Sequence, residues 1–267
     1  VYGQIGNGTK TNVYIPRKIT GLENIVEVAV ENNTVVVLNA AGEVFASGYN
    51  GYGNLGNNTT QASSQFVQVI EKIETTTTGE GDTQETVETP IYLSNIKSIE
   101  AGSNYAIAVK EDGTAVAWGQ NNYSQMATGD AANKLLPVEL TYGEGLEKID
   151  EILDVAAGEG TTTVVREDGK VWTVGKNNYG QLGDSSVTNK TSFVCISKPT
   201  VMIENTPIRI RGIGKTEKVE TSVSQGFNLL YNIVDNTEIS YDIKDKNIAT
   251  VDGDTGIITS VKKGKTQ

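Results

Sequence analysis

The sequence contains no histidine and a single cysteine, Cys195. Without an imidazole it lacks the usual general base and the commonest metal ligand. Cys195 cannot close an internal disulfide. With no histidine to activate it, it reads as a small buried apolar residue rather than a nucleophile. Basic residues are outnumbered, 22 against 33 acidic, for a net charge of −11. Such a surface repels phosphate backbones and anionic lipid, which excludes nucleic acid and membrane-surface partners. No apolar run approaches the ~20 residues that cross a bilayer, so no membrane insertion is expected. No signal peptide is visible. The chain opens on "VYGQIG", inside a motif and without a methionine, so Val1 is read as lying within a longer natural protein. The 267 residues leave room for one large or two smaller domains.

What is present is turn chemistry that repeats. "NAAGEVFASGYNGYGNLG" covers Asn39 to Gly56, "KEDGTAVAWGQNNYSQMA" covers Lys110 to Ala127, and "REDGKVWTVGKNNYGQLG" covers Arg166 to Gly183. "VYGQIG" is the tail of a further copy. Gly42, Gly113 and Gly169 are separated by 71 and 56 residues, and Gly48, Gly119 and Gly175 keep the same two spacings. Periods of this size belong to solenoids and propellers. Within each copy a β-rich run meets Asp-Gly and a second β-rich run follows, the pattern of a hairpin. Asp112-Gly113 and Asp168-Gly169 read as two-residue turns with both residues at φ > 0. The first copy has Ala41-Gly42 instead, expected to be a weaker turn of another type. It also has Glu31 where the others have Gly102 and Gly158.

On the second strand of each hairpin, a large residue moves between two columns on one face. These hold Val116 and Trp118, Trp172 and Val174, and Phe45 and Ser47. The opposite face stays slim, with Ala115 and Ala117, Val171 and Thr173, and Val44 and Ala46. Sheets packed face to face produce that pattern. Gly175, Asn177, Asn178, Gly180 and Gly183 then form the connection leaving the hairpin, where asparagine bonds nearby backbone and glycine allows left-handed dihedrals. "GKNNYGQLG" has no lysine-serine ending and no following helix, so it is not a phosphate cradle.

"EDGKVWTVGKNNYGQLG", with "VAAG" upstream at Val155 to Gly158, resembles the repeat of the regulator of chromosome condensation family. The resemblance covers roughly Val1 to Ile210 and assigns residues 1–210 to propeller repeats. It implies an all-β fold in which about three complete blades belong to a seven-bladed β-propeller, each blade a four-stranded antiparallel sheet around a central channel. Three copies are complete here, and the second complete copy departs at Ser124, Met126 and Ala127, where the pattern wants two glycines and a leucine. An insertion from Glu71 to Pro90, rich in Thr, Glu and Gly, reads as a protruding hairpin or a mobile loop. The founding member acts on a small GTPase and on chromatin. No residue here matches an exchange site, and a chromatin face would be basic. Bacterial relatives include a secreted inhibitor of β-lactamases and cell-surface proteins.

Beyond the repeats, residues 211–267 alternate as strands do. "IATVD" and "GIITSVKKGKT" resemble a group 2 bacterial immunoglobulin-like domain, with the match running over Ile213 to Gln267 and the last strand missing. The resemblance implies a small immunoglobulin-like β-sandwich acting as a spacer on a bacterial surface protein. Asp252 and Asp254 read as turn residues, since a calcium site needs six or more oxygens.

Together these readings imply a non-enzymatic binding module of a bacterial secreted or surface protein, without catalytic residues, cofactor or metal. Its loops face a protein or glycan partner. The alternatives are an inhibitor of a secreted enzyme and, less favoured, an enzyme with a site in the channel. Tyr49, Tyr52, Tyr123 and Tyr179 follow the hairpins and are the candidate contact residues. Loop aromatics serve as binding hot spots or as packing of the motif itself. Uncovered apolar blade surface at the ends is expected to draw copies of the chain together.

Overall fold

A computed structural model describes residues 1–78, 85–143, 145–197, 200–203, 216–218, 221–224, 249–251 and 257–260. The chain divides into two compact units, Val1–Ile196 and Ser197–Gln267. The first carries three four-stranded antiparallel sheets. Sheet one holds β1 (Ile25–Glu31), β2 (Thr34–Asn39), β3 (Val44–Gly48) and β4 (Ser63–Gln68) in sequence order. A hairpin of β5 (Ile70–Thr78) and β6 (Glu85–Tyr92) follows. Sheet two holds β7 (Ile96–Gly102), β8 (Tyr105–Lys110), β9 (Ala115–Gly119) and β10 (Lys134–Glu139). Sheet three holds β11 (Ile152–Ala157), β12 (Thr161–Arg166), β13 (Val171–Gly175) and β14 (Lys190–Cys195). Four strands joined up and down in chain order are propeller blades. The insertion is thus the hairpin of the two alternatives, with Ile70 opposite Tyr92 and Thr78 opposite Glu85.

Alternation places the cores between the sheets. Val44 and Ala46 of sheet one meet Ala106, Ala108, Val116 and Trp118 of sheet two. The other face of sheet two, Tyr105, Ile107, Val109, Ala115 and Ala117, meets Val164, Val174 and Trp172 of sheet three. The two columns read from the sequence therefore face opposite neighbours. The column with the large residue points back to the preceding sheet, and the slim column receives the next. The first strands β1, β7 and β11 lie beside one another, joined by the Ile99 amide donating to Glu27 Oε2 at 3.1 Å.

The hairpin turns correct the sequence reading. The Gly113 amide donates to the Lys110 carbonyl at 3.0 Å and the Lys110 amide to the Thr114 carbonyl at 2.8 Å. Only the glycine has a positive φ, +80°. That is a type I turn closed by a left-handed residue in a G1 bulge, not a two-residue primed turn. The Asp112 carboxylate caps it by accepting from the Thr114 amide at 3.0 Å. Ala41-Gly42 makes the same turn: Gly42 stands at φ +78° and donates to the Asn39 carbonyl at 3.0 Å. There Asn39 does the aspartate's work, accepting from the Ala41 and Glu43 amides at 3.0 and 2.9 Å.

In the second unit β15 (Thr200–Ile203), β16 (Thr216–Lys218), β17 (Thr221–Ser224), β18 (Ala249–Val251) and β19 (Ile257–Ser260) form two small antiparallel sheets, β15 with β17, and β19 between β16 and β18. Within the alternating runs, Ala249–Val251 and Ile257–Ser260 thus pair as β18 and β19. Most of the residues expected to form an immunoglobulin-like sandwich, Asp252 and Asp254 among them, lie outside the described residues.

Candidate functional site

The long connections β3–β4, β9–β10 and β13–β14 emerge on one side of the sheets, with the short β1–β2, β7–β8 and β11–β12 turns. Each long connection is organised by one buried asparagine: Asn50, Asn121 or Asn177, all 0% exposed. The side-chain oxygen accepts an amide five residues on, from Leu55 at 2.8 Å, Met126 at 3.0 Å and Leu182 at 2.9 Å. The side-chain nitrogen donates onward, from Asn177 to Asp184 Oδ1, the Ser186 carbonyl and the Thr188 carbonyl at 3.0 to 3.1 Å. Asn50 and Asn121 do the same toward the Thr59 and Asp130 carbonyls, each at 3.0 Å. The aliphatic side chain at the fifth position, Leu55, Met126 or Leu182, is buried below the loop. The Asp184 carboxyl is held well below the usual range, first by Lys190 and then by Ser186 and Asn177.

Two tight turns follow each hub. In the third copy Gly180 and Gly183 take φ +75° and +72°. In the second, Ser124 and Ala127 occupy those positions and hold φ +57° and +54°. Hydrogen bonds and packing thus impose the loop where the glycines are missing. A left-handed non-glycine residue costs about 1 kcal/mol. Ser124→Gly is therefore expected to stabilise by about 1 kcal/mol, seen as a rise of a few degrees in the melting temperature. No gain would show that Ser124 contributes more than its strain costs.

A second side chain, four residues past the hub, holds the tyrosine that lies two residues past it. The amides of Tyr52, Tyr123 and Tyr179 donate to the side-chain oxygens of Asn54, Gln125 and Gln181 at 3.2, 3.1 and 2.9 Å. Tyr2 is a fourth member, its amide 3.3 Å from Gln4 Oε1. Sequence reasoning missed it, although Tyr2-Gly3-Gln4 repeats the spacing. All the predicted tyrosines lie on this side, in different settings. Tyr2, Tyr49 and Tyr52 form an edge-to-face cluster, with centroids 5.0 and 5.9 Å apart. Burial, with Tyr52 and Tyr2 nearby, raises the Tyr49 phenol. Tyr123 lies against Gly160 of the next sheet, with the Lys176 ammonium 5.2 Å from its ring centre. That is the packing role. Tyr179 is 88% exposed.

The loops also lap onto the following sheet. The Asn58 amide donates to the Leu135 carbonyl of β10 at 3.0 Å, and Trp118 Nε1 to the Asn54 carbonyl at 2.9 Å. The inner strands carry acids rather than aromatics: Glu27, Glu100 and Asp154. Burial, then Asp154 and Glu27, push the Glu100 carboxyl up. Among the described residues, no three acidic or sulfur ligands group to hold a metal.

Residues 96–125 and 152–181 match one family profile and residues 112–165 and 168–229 a second, both described as the regulator of chromosome condensation (RCC1) repeat. The chain belongs to the RCC1 repeat family. It is 30% identical over 186 residues to the ultraviolet-B receptor UVR8 of Arabidopsis thaliana, across 68% of this chain and 37% of the receptor. It is 29% identical over 198 residues to the E3 ubiquitin-protein ligase HERC2 of Homo sapiens, across 68% of this chain and 4% of the ligase. The chain thus spans well under two thirds of either relative. Human WBSCR16 shares the fold, with a TM-score of 0.54 at 20% identity over 73% of this chain and 44% of that one.

Proposed function

We propose that this RCC1-repeat chain is a non-enzymatic binding module of a bacterial secreted or surface protein, and that its loop side receives a protein or glycan partner. One observation carries the reading: a buried asparagine in each complete repeat builds the same loop and sets a tyrosine on the same side. Repeats on rigid sheets present such loops in register. The likeness of the tail to bacterial immunoglobulin-like spacers supports the surface setting. A second reading, an inhibitor of a secreted enzyme, is favoured by Tyr179, an aromatic 88% exposed on a hydrogen-bonded loop, the kind of anchor that enters a cleft.

The test is a printed array of proteins and glycans probed with the 267-residue chain and its variants. Tyr52→Ala and Tyr179→Ala are expected to weaken a recognised spot at least about tenfold, or ~1.4 kcal/mol. Glu111→Lys, in the turn on the other side, is expected to leave it unchanged. Binding that follows Glu111 and ignores the tyrosines would put the partner on the wrong side for this reading.

A further inference from the structure

The charge of this unit is segregated between its two sides. The loops on the tyrosine side run over residues 1–10, 32–33, 49–62, 103–104, 120–133, 158–160 and 176–189. Their charged side chains are Lys10, Asp130, Glu159, Lys176 and Asp184. Each of the three carboxylates is ion-paired: Asp130 to Lys134 at 2.8 Å, Glu159 to Lys176 at 2.8 Å and Asp184 to Lys190 at 3.0 Å. The loop 49–62, "YNGYGNLGNNTTQA", has no charged residue at all. The opposite turns carry Glu43, Glu111, Asp112, Asp150, Glu151, Glu167 and Asp168 among others. The overall acidity is therefore concentrated away from the tyrosines.

Resting on the reading above, we propose that the occupant of the loop face is a neutral polysaccharide. A charged partner is steered and oriented by opposite charge, and outside these ion pairs the loops offer only Lys10 to meet it. Besides aromatic residues, protein interfaces enrich arginine and methionine. These loops contain no arginine, and Leu55, Met126 and Leu182 are turned inside. Beside the exposed apolar side chains of Val1, Ile5 and Val187, the face presents amides, hydroxyls and tyrosine rings, such as the exposed side chains of Asn58, Asn122 and Asn178. Tyrosine gives a rigid amphipathic surface and Asn and Ser give adaptable hydrogen bonding, the two contacts an uncharged sugar ring accepts through its apolar face and its hydroxyls. The repeat adds a second match. Asn122 and Asn178 stand exposed at the same motif position of adjacent sheets, and packed sheets stand about 10 Å apart, close to the length of a disaccharide. A ladder of like subsites suits a polymer of like units, since each further contact becomes intramolecular. The acids Glu27, Glu100 and Asp154 lie on the inner strands and disfavour polyanions at the edge of the face.

Depletion of the 267-residue chain by cellulose, chitin, starch, mannan and alginate tests this. At least one of the neutral polymers is expected to bind and alginate is not. Binding is expected to change less than about twofold from roughly 0.05 to 0.5 M NaCl, because no ion pairs are screened. Asn178→Asp/Tyr179→Ala, melting like the parent, and, separately, Tyr52→Ala are expected to weaken it at least tenfold, and Glu111→Lys is expected to bind normally. The proposal falls if no neutral polymer binds, if salt abolishes binding, or if the loop variants bind as the parent does. A protein spot on the array that Tyr179→Ala abolishes, with no polysaccharide bound, would leave the binding face standing and remove its sugar. Polysaccharide binding lost in Glu111→Lys alone would remove both.

Discussion

Asn121→Ala is expected to lower stability by about 3 kcal/mol, although no element of regular structure contains the residue. Asn121 is 0% exposed. Its oxygen accepts the Met126 amide at 3.0 Å. Its nitrogen donates to Thr128 Oγ1 at 3.1 Å and to the Asp130 carbonyl at 3.0 Å. Alanine leaves a buried N–H and a carbonyl without their partner, each worth about 1–3 kcal/mol. For a unit of this size that is a fall of about 6–12 °C in the melting temperature. Asn121→Asp is expected to be as severe. It keeps the acceptor but turns a carboxylate toward the Asp130 carbonyl and carboxylate, where a donor stood. Asn122, exposed next door, is the control, and Asn122→Ala is expected to stay within about 0.5 kcal/mol. Thermal melts by circular dichroism read all three. If Asn121→Ala melted with Asn122→Ala, the hub would be an ornament of the loop rather than its cause.

The sheets were legible because period-2 burial and a fixed glycine register are local signals. Val116 and Trp118 had to face one neighbour and Ala115 and Ala117 the other once two sheets were invoked, and they do. The hub was only half legible. Asparagine at Asn177 suggested a turn, but the sequence cannot show that Asn177 is buried while Asn178 is exposed. That difference comes from Leu182 anchoring one side of the loop under the sheet. The roles of the tyrosines were undecided for the same reason. Tyr123 and Tyr179 occupy one position of the motif, yet one is covered by Gly160 and Lys176 and the other is open. What covers a loop residue belongs to the next repeat. The turn type was misread because Asp-Gly serves both a primed turn and a G1 bulge, and only the hydrogen bond from Gly113 to Lys110 separates them.

That misreading reverses one comparison between mutants. From sequence, Ala41-Gly42 looked like the weak turn, so valine at Gly42 should cost less than valine at Gly113. The structure predicts the opposite order. Both glycines are left-handed, at φ +78° and +80°, a conformation a β-branched residue adopts only with strain of about 1–3 kcal/mol. Strain is therefore equal, and space decides. A Cβ on Gly42 would stand 3.0 Å from the Ile96 amide nitrogen, whereas on Gly113 the nearest atom is the Glu151 nitrogen at 3.3 Å. The Ile96 amide is also the donor that ties β7 to the Gly42 carbonyl at 3.2 Å. Relieving the contact thus pulls on the junction of sheets one and two. Gly42→Val is expected to cost about 3–4 kcal/mol and Gly113→Val about 2–3 kcal/mol. The asparagine variants separate the two causes. Asparagine tolerates the left-handed region, so Gly113→Asn is expected to recover most of the loss and Gly42→Asn to keep the part due to crowding against Ile96. Urea unfolding of the four variants gives the order directly, and a milder effect at Gly42 than at Gly113 for both substitutions would show that the junction yields without cost.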